Sequence, residues 1–116
     1  MFDDVTSVAL KSALDGLATR QRTTSDNIAN INTPHFIAGR VQFEDALRDA
    51  VSTGDPTQVA DVQATQLPSL EPTQENGNNV NLDEETLSQT ETGMSYSLML
   101  RAVDDRFTLL KTAIGK

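Results

Sequence analysis

The chain has 116 residues, a formal net charge of −8, no cysteine and one histidine, and 37% of its residues are hydrophobic. Because ordinary globular domains are about 45–50% apolar, a single domain of this length and polarity buries little core by itself. The lack of cysteine excludes disulfides and thiolate metal sites, and one histidine excludes multi-histidine zinc sites. The acidic balance argues against a nucleic-acid partner. We therefore expect partner surfaces to supply the missing burial.

The first predicted element is a helix over residues 1–32. Along it, mostly apolar residues recur at alternating steps of four and three, which is the spacing of a coiled-coil seam. Asp3 and Asp4 lie where the positive end of a helix dipole favours acidic side chains. Thr33-Pro34 predicts the end of the helix, because a residue before proline avoids the helical region. The seam positions are Leu10, Leu14, Leu17, Gln21, Thr24, Ile28 and Ile31.

Residues 33–80 are predicted to form a turn, a short helix or strand, and a long polar loop. Val41-Gln42-Phe43 has the composition of an extended segment, and Phe43, Leu47 and Val51 are spaced as on a short helix, where Glu44 and Arg48 would pair. Residues 52–79 contain no aromatic side chain, and residues 37–80 carry seven acidic and two basic ones. Such a composition predicts a solvated loop that is mobile unless a neighbour holds it.

The last predicted element is a second long helix over residues 81–116. Asn81 followed by Glu84 is a variant of the helix capping box, and the acidic run Asp83-Glu84-Glu85 lies on the positive end of the dipole. The four-three alternation extends over ten positions. These positions are Leu82, Thr86, Gln89, Gly93, Tyr96, Leu100, Val103, Phe107, Leu110 and Ile114.

The two seams predict a mostly α fold in which the long helices pair as an antiparallel coiled-coil hairpin. Residues 1–32, 33–80 and 81–116 then belong to one structural domain. Apolar residues beside the second seam, such as Leu98 and Leu109, broaden the face beyond what two helices need. We therefore expect further helices from other copies or other proteins to cover it.

The most distinctive segment is residues 27–36, which reads Asn-Ile-Ala-Asn-Ile-Asn-Thr-Pro-His-Phe. Asn27 and Asn30 lie three residues apart on one helix face, where asparagine amides can fix the register between helices. Phe36 can fold back as an apolar anchor after the turn. Taken alone, the segment fits an asparagine-rich helix end as well, so physical reasoning leaves both interpretations open.

These ten residues resemble the N-terminal signature of the rod and hook family of flagellar axial proteins, usually Asn-Asn-Ile-Ala-Asn-x-Asn-Thr-Pro-Gly-Tyr. Residues 77–85 and 106–114 are similar to the corresponding segments of its proximal-rod members. His35 stands where that family usually has glycine, and Phe36 where it has tyrosine. The short length, with no inserted domain between the helices, also resembles the proximal rod.

The resemblance implies a structural subunit of the flagellar proximal rod, which joins the membrane ring and export gate to the rest of the rod. Implied partners are copies of the chain, other rod proteins, and ring and export-gate components, without nucleic acid or a small-molecule substrate. The implied location is the periplasmic rod of the basal body. The implied interface residues are Leu10, Leu14, Leu17, Asn27, Ile28, Asn30, Ile31, Asn32, Pro34, Phe36, Tyr96, Leu100, Val103, Phe107, Leu110 and Ile114.

The resemblance further implies export by the flagellar type III apparatus without a cleaved signal peptide. The acidic start, Met1-Phe2-Asp3-Asp4, agrees with this, because it lacks the basic and apolar regions of a secretory signal. No run approaches the ~18–20 apolar residues that cross a bilayer, so the chain is not expected to be transmembrane itself.

We predict no catalytic residue, no metal site and no cofactor. The run Asp83-Glu84-Glu85 is best explained by the helix dipole, because consecutive helical residues point about 100° apart and do not converge on an ion. His35 lies in a turn with no evident nucleophile beside it. The alternative function is a helical adaptor or secretion chaperone that holds a client helix.

Overall fold

The computed structural model describes residues 4–115 and is mostly helical, with two long helices near the ends of the chain. The parts of the predicted helices at residues 1–3 and 116 lie outside the described residues. In chain order the elements are α1 (Val5–Ala29), β1 (Gly39–Gln42), α2 (Glu44–Ser52), α3 (Pro56–Ala60), β2 (Thr65–Pro68) and α4 (Leu82–Ile114).

Helix α1 begins and ends at polar side chains. Asp4 caps its start, because its carboxylate accepts a hydrogen bond of 2.8 Å from the Ser7 backbone N–H. The helix ends at Ala29, three residues earlier than predicted. Just after it, the carbonyl oxygens of Asn30 and Thr33 each accept a hydrogen bond of 2.8 Å from the side-chain amide of Asn78. A distant asparagine therefore holds the turn that follows the helix.

Helix α4 has 33 residues and spans about 50 Å. The Asn81 side chain accepts from the Glu84 N–H at 3.3 Å, so the predicted cap at its start is confirmed. The helix runs antiparallel to α1, since Glu85 near its start bonds Asn27, whereas Arg106 near its end bonds Asp4 and Ser7. The antiparallel direction is thus observed, and coiled-coil packing stays a prediction.

The segment predicted as a structureless loop contains two short elements. Strand β2 pairs antiparallel with β1, from Gly39 opposite Pro68 to Gln42 opposite Thr65. Helix α3 is capped by Asp55, begins with a proline and places the side chain of Val59 in the interior. Five-residue and four-residue elements are too short to show a hydrophobic period, so only their partners reveal them.

The predicted ion pair between Glu44 and Arg48 is wrong. Glu44 lies at the start of α2, where it faces α1, and it pairs with Arg20 at 2.6 Å. Arg48 bonds Asp45 at 3.1 Å in an exposed pair on α2 itself. Glu44 finds its partner on a neighbouring helix, and the spacing of residues along α2 cannot indicate such a partner.

The buried core lies where α1, β1 and α2 meet, and it is small. Tyr96 and Met99 of α4 pack against its centre, but among the described residues no hydrophobic side chain of α4 is itself buried. The radius of gyration is 17.5 Å, against about 13 Å for a compact chain of this length. The molecule is therefore elongated, with its core in the middle. The buried hydrophobic residues are Leu17, Ala38, Val41, Phe43, Ala50, Val59 and Val80.

Candidate assembly interface

Asn27 joins α1 to β1 and α4 through its side-chain amide. Its Nδ2 donates to the Gly39 carbonyl at 2.8 Å, and its Oδ1 accepts from the Gly39 N–H at 3.0 Å. Nδ2 also donates to Glu85 Oε1 at 3.1 Å. The side chain is only 2% exposed, so all of this bonding is internal to the chain. Asn27 pairs with one residue of β1 as a neighbouring strand would.

Arg20, two turns before Asn27 on α1, holds the next part of the same strand. Its guanidinium donates to the Val41 carbonyl at 2.7 Å and makes two hydrogen bonds to Glu44, at 2.6 and 2.8 Å. The guanidinium also lies 5.0 Å from the centre of the Phe43 ring. These bonds hold the pKa of the Glu44 carboxyl below its usual value. Arg20 and Asn27 together cover the edge of β1 that faces away from β2.

Asn78 and Asn79 fix the turn after α1 from the other end of the sequence. Asn78 is fully buried, and besides binding the end of α1 its Oδ1 accepts from the Val80 N–H at 2.7 Å. Asn79 Oδ1 accepts from the Ala38 N–H at 2.7 Å, and its Nδ2 donates to the carbonyl oxygens of Ser69 and Glu71. The two asparagines thus bind residues 30–38 and the end of β2 to the start of α4.

His35 takes the backbone conformation for which glycine is the usual residue. Its φ is +63°, in the left-handed region, and its N–H donates to the Asn76 carbonyl at 2.9 Å. Gly77, also at positive φ, leaves room for the imidazole, because a Cβ there would lie 2.5 Å from His35 Nδ1. His35 therefore holds, with room left by Gly77, a turn conformation that glycine adopts more readily.

Glu85 lies half-buried where α1, β1 and α4 meet. Burial raises the pKa of its carboxyl, the hydrogen bond from Asn27 opposes that rise, and the neighbouring Glu84 carboxylate adds to it. The crevice around Glu85 also contains Arg20, Arg40 and Glu71 among its charged groups. Charged groups of both signs therefore meet at this junction.

Helix α4 carries apolar residues on two opposite faces. The inner face, with Tyr96 and Met99, packs toward α1 and the core. The outer face, which we define by Leu87, Met94 and Leu98, lies about 150° around the helix from Tyr96 and Met99. Met94 is 70% exposed and Leu98 62%. In one copy of the chain the outer face is therefore exposed to solvent.

The predicted interface residues have three kinds of environment. Leu17 and Asn27 are buried within the chain. Those that are exposed are Asn32, Pro34, Leu100, Phe107 and Ile114. The half-buried ones are Leu10, Leu14, Ile28, Asn30, Ile31, Phe36, Tyr96, Val103 and Leu110.

Several residues that organise this region were not singled out by sequence reasoning. The sequence indicates Asn78, Asn79 and Glu85 only as parts of a resemblance or of a capping run, and it assigns no role to Arg20. Apart from the local bond between Asn78 and Val80, their side-chain bonds join residues that lie from 8 to 58 positions apart. The run Gly77-Asn78-Asn79 is the one local signal, since glycine and asparagine are typical of tight turns.

Among residues 4–115, no group of three or more histidine, cysteine, aspartate or glutamate side chains is placed to hold a metal ion. No helix within that range combines the length and the apolar character needed to cross a bilayer.

Comparison with known proteins identifies the family. The sequence model of a family described as "Flagella basal body rod protein" matches residues 9–36. The chain is 28% identical to the flagellar basal body rod protein FlgB of Bacillus subtilis, over 90% of this chain and 89% of that protein. It is 30% identical to FlgB of Borreliella burgdorferi, over 74% of this chain and 78% of that protein. The chain belongs to the FlgB family.

A third FlgB relative, from Borrelia hermsii, is 31% identical over 73% of this chain and 77% of that protein. Membership of the FlgB family places the chain among the structural proteins of the flagellar basal body rod, and it confirms the resemblance found in the sequence. The residues matched by the family model, 9–36, include Arg20, Asn27 and His35. The matched segment therefore contains the residues of α1 that cover β1 and the histidine of the turn that follows.

Proposed function

We propose that the chain is a structural subunit of the proximal rod, linking the membrane ring and export gate to the rest of the rod by packing of helices between subunits. The observation that carries this proposal is the exposed apolar surface of α4. Eight of the large hydrophobic residues that are exposed lie on this one helix. Exposed apolar surface of this extent is typical of a protein–protein contact.

The small core supports the same proposal. Only Leu17 of α1 contributes a buried hydrophobic side chain from the two long helices in the described part of the chain. The two long helices therefore form a coiled-coil hairpin in this proposal, and helices of neighbouring subunits cover the apolar residues that the hairpin leaves exposed. Copies of the chain and other rod proteins supply those helices, and the segments 1–32, 33–80 and 81–116 act as one structural domain.

We further propose the route and place of assembly. The chain is exported through the flagellar type III apparatus without cleavage and takes its place in the periplasmic part of the basal body. A small core favours this route, because a subunit with few buried contacts unfolds at little cost before export. The role is structural and includes no catalytic step.

Deletion of the gene, followed by isolation of basal bodies, tests the proposed function. We expect the mutant to be non-motile and to lack a rod beyond the membrane ring, and the restored strain to carry the chain in purified basal bodies. The adaptor alternative predicts the opposite distribution, with complete rods that lack the chain and a soluble complex of the chain with a client. Motile cells with complete rods after deletion would overturn the proposal.

A further inference from the structure

The outer face of α4 has the pattern of a second seam. Leu87, Glu91, Met94, Leu98 and Arg101 follow one another at steps of four, three, four and three, as coiled-coil contact positions do. All five are exposed. Within residues 4–115, no ion pair involves the two charged members, Glu91 and Arg101, whose charges are opposite.

The charges are placed symmetrically about the apolar centre of this seam. Glu91 lies three residues before Met94, and Arg101 lies three residues after Leu98. If a second copy packs antiparallel, Met94 meets Leu98 of that copy, and Glu91 meets its Arg101. By symmetry each pair forms twice. A parallel, in-register arrangement would place like charges opposite each other, so electrostatics selects the antiparallel one.

The matched positions lie on one narrow side of α4. Met94 and Leu98 are about 40° apart around the helix, and Arg101 and Glu91 flank them on either side. One step further out, Asp105 would face Leu87 of the other copy, and a carboxylate does not complement an apolar side chain. The complementary stretch is therefore limited to residues 91–101.

We propose that the outer face of α4 binds the outer face of a second copy, antiparallel about a two-fold axis near residue 96. A two-fold contact uses the same patch on both copies and closes on itself. It therefore differs from the contacts that extend a rod and would pair free subunits. The inference goes beyond the proposed function and does not depend on it.

Charge exchange on the purified full chain tests the proposal. Sedimentation velocity at increasing concentration should show a monomer–dimer equilibrium for the natural sequence. Glu91→Lys and Arg101→Glu should each weaken the dimer about tenfold or more, because each turns two attractive pairs into repulsive ones. The double variant Glu91→Lys/Arg101→Glu should restore it. Asp104→Lys, an exposed change on the same helix but off the seam, is the matched control and should behave as the natural chain.

Disulfide trapping tests the direction of the contact, and the chain suits it because it has no cysteine. Mixing Met94→Cys with Leu98→Cys protein should give a crosslink between the two variants, since antiparallel packing brings these positions together. A crosslink of Met94→Cys to itself would overturn the antiparallel arrangement. A natural chain that stays monomeric, or a double variant no better than the single ones, would overturn the dimer. None of these results bears on whether basal bodies contain the chain.

Discussion

At the scale of single residues, asparagine side-chain amides make hydrogen bonds to backbone groups that other backbone groups make in larger folds. Asn27 pairs with both polar backbone groups of Gly39, and Asn78 takes two carbonyl oxygens at the end of α1. In a chain with few apolar residues, these bonds set the geometry that the core alone would not fix. An amide with three such partners has no substitute among the other side chains except glutamine, which is longer.

Asn27→Ala should destabilise the chain strongly. It removes two hydrogen bonds to β1 and one to Glu85, and it leaves the half-buried polar groups of Gly39 without these partners. We expect a loss of about 2–4 kcal/mol in the free energy of unfolding, measured by chemical denaturation. Asn32→Ala, in the same motif but exposed, is the matched control and should change stability by about 0.5 kcal/mol or less. Equal losses in both variants would contradict the role given to Asn27.

Glu85 gives the fold a pH dependence of its own. Because its pKa is raised above the ordinary value of 4.5 in the folded chain, the native state holds this proton more tightly than the unfolded state does. Its contribution to stability is full below pH 4.5 and is lost as the pH rises through the raised pKa. Glu44, whose pKa is lowered, acts in the opposite direction and loses its contribution as the pH falls below 4.5.

Glu85→Gln isolates that effect, since glutamine keeps an oxygen to accept from Asn27 and does not titrate. The stability of the variant relative to the natural chain should rise as the pH increases between about pH 4 and pH 7. Unfolding curves of both proteins across this range measure the difference. A difference that does not change with pH would show that Glu85 titrates normally.

At the scale of elements, the two glycines of the long helices have different roles. A Cβ on Gly16 would lie 2.6 Å from the Phe43 ring, whereas one on Gly93 would meet open space. Gly16 thus lets α1 pack on the core, and Gly93 is a gap in the surface of α4.

Gly16→Ala and Gly93→Ala should therefore change the stability of the free chain in opposite directions. Gly16→Ala should destabilise by about 1–3 kcal/mol through overpacking. Gly93→Ala should stabilise by roughly 0.5–1 kcal/mol, the usual gain of alanine over glycine in a helix. Thermal unfolding of the pair measures both. Destabilisation by Gly93→Ala would mean that another part of the same chain packs against Gly93.

Leu100 and Phe107 flank the inner face of α4 and are 44% and 51% exposed. Leu100→Asp or Phe107→Asp should abolish swimming and rod assembly but leave export of the subunit intact, because the change falls on a contact between subunits. Motility and secretion assays measure the two effects separately. Thr108→Asp, which adds the same charge beside them, should still swim. Normal swimming of either seam variant would contradict the interface assignment.

The sequence predicts those elements whose own residues determine them. Helices α1 and α4 carry periodic seams, so their existence was predictable, and the cap Asn81 also fixes the start of α4. The end of α1 was predicted three residues too late. Helix α3 and strand β2 were not predictable, because each depends on distant partners. Val59, for example, accepts a hydrogen bond on its carbonyl from Ser12, 47 residues away. The same reason hid the roles of Arg20 and Asn78.

At the scale of the whole molecule, burial is distributed unevenly. The molecule measures 64 × 26 × 14 Å, and its core occupies only the region where α1, β1 and α2 meet. The middle segment, which is poor in apolar residues, is held by α3, by the pairing of β2 with β1 and by the side chain of Asn79. The exposed apolar surface lies mostly on α4, whose apolar residues one copy does not cover.

A density map of the basal body from cells that make this chain tests the central claim most directly. We predict that the chain lies in the proximal rod, with Leu100 and Phe107 of α4 buried against helices of neighbouring subunits. Density that places the chain in the rod with these residues facing solvent would contradict the account, as would a complete proximal rod that contains no copy of the chain.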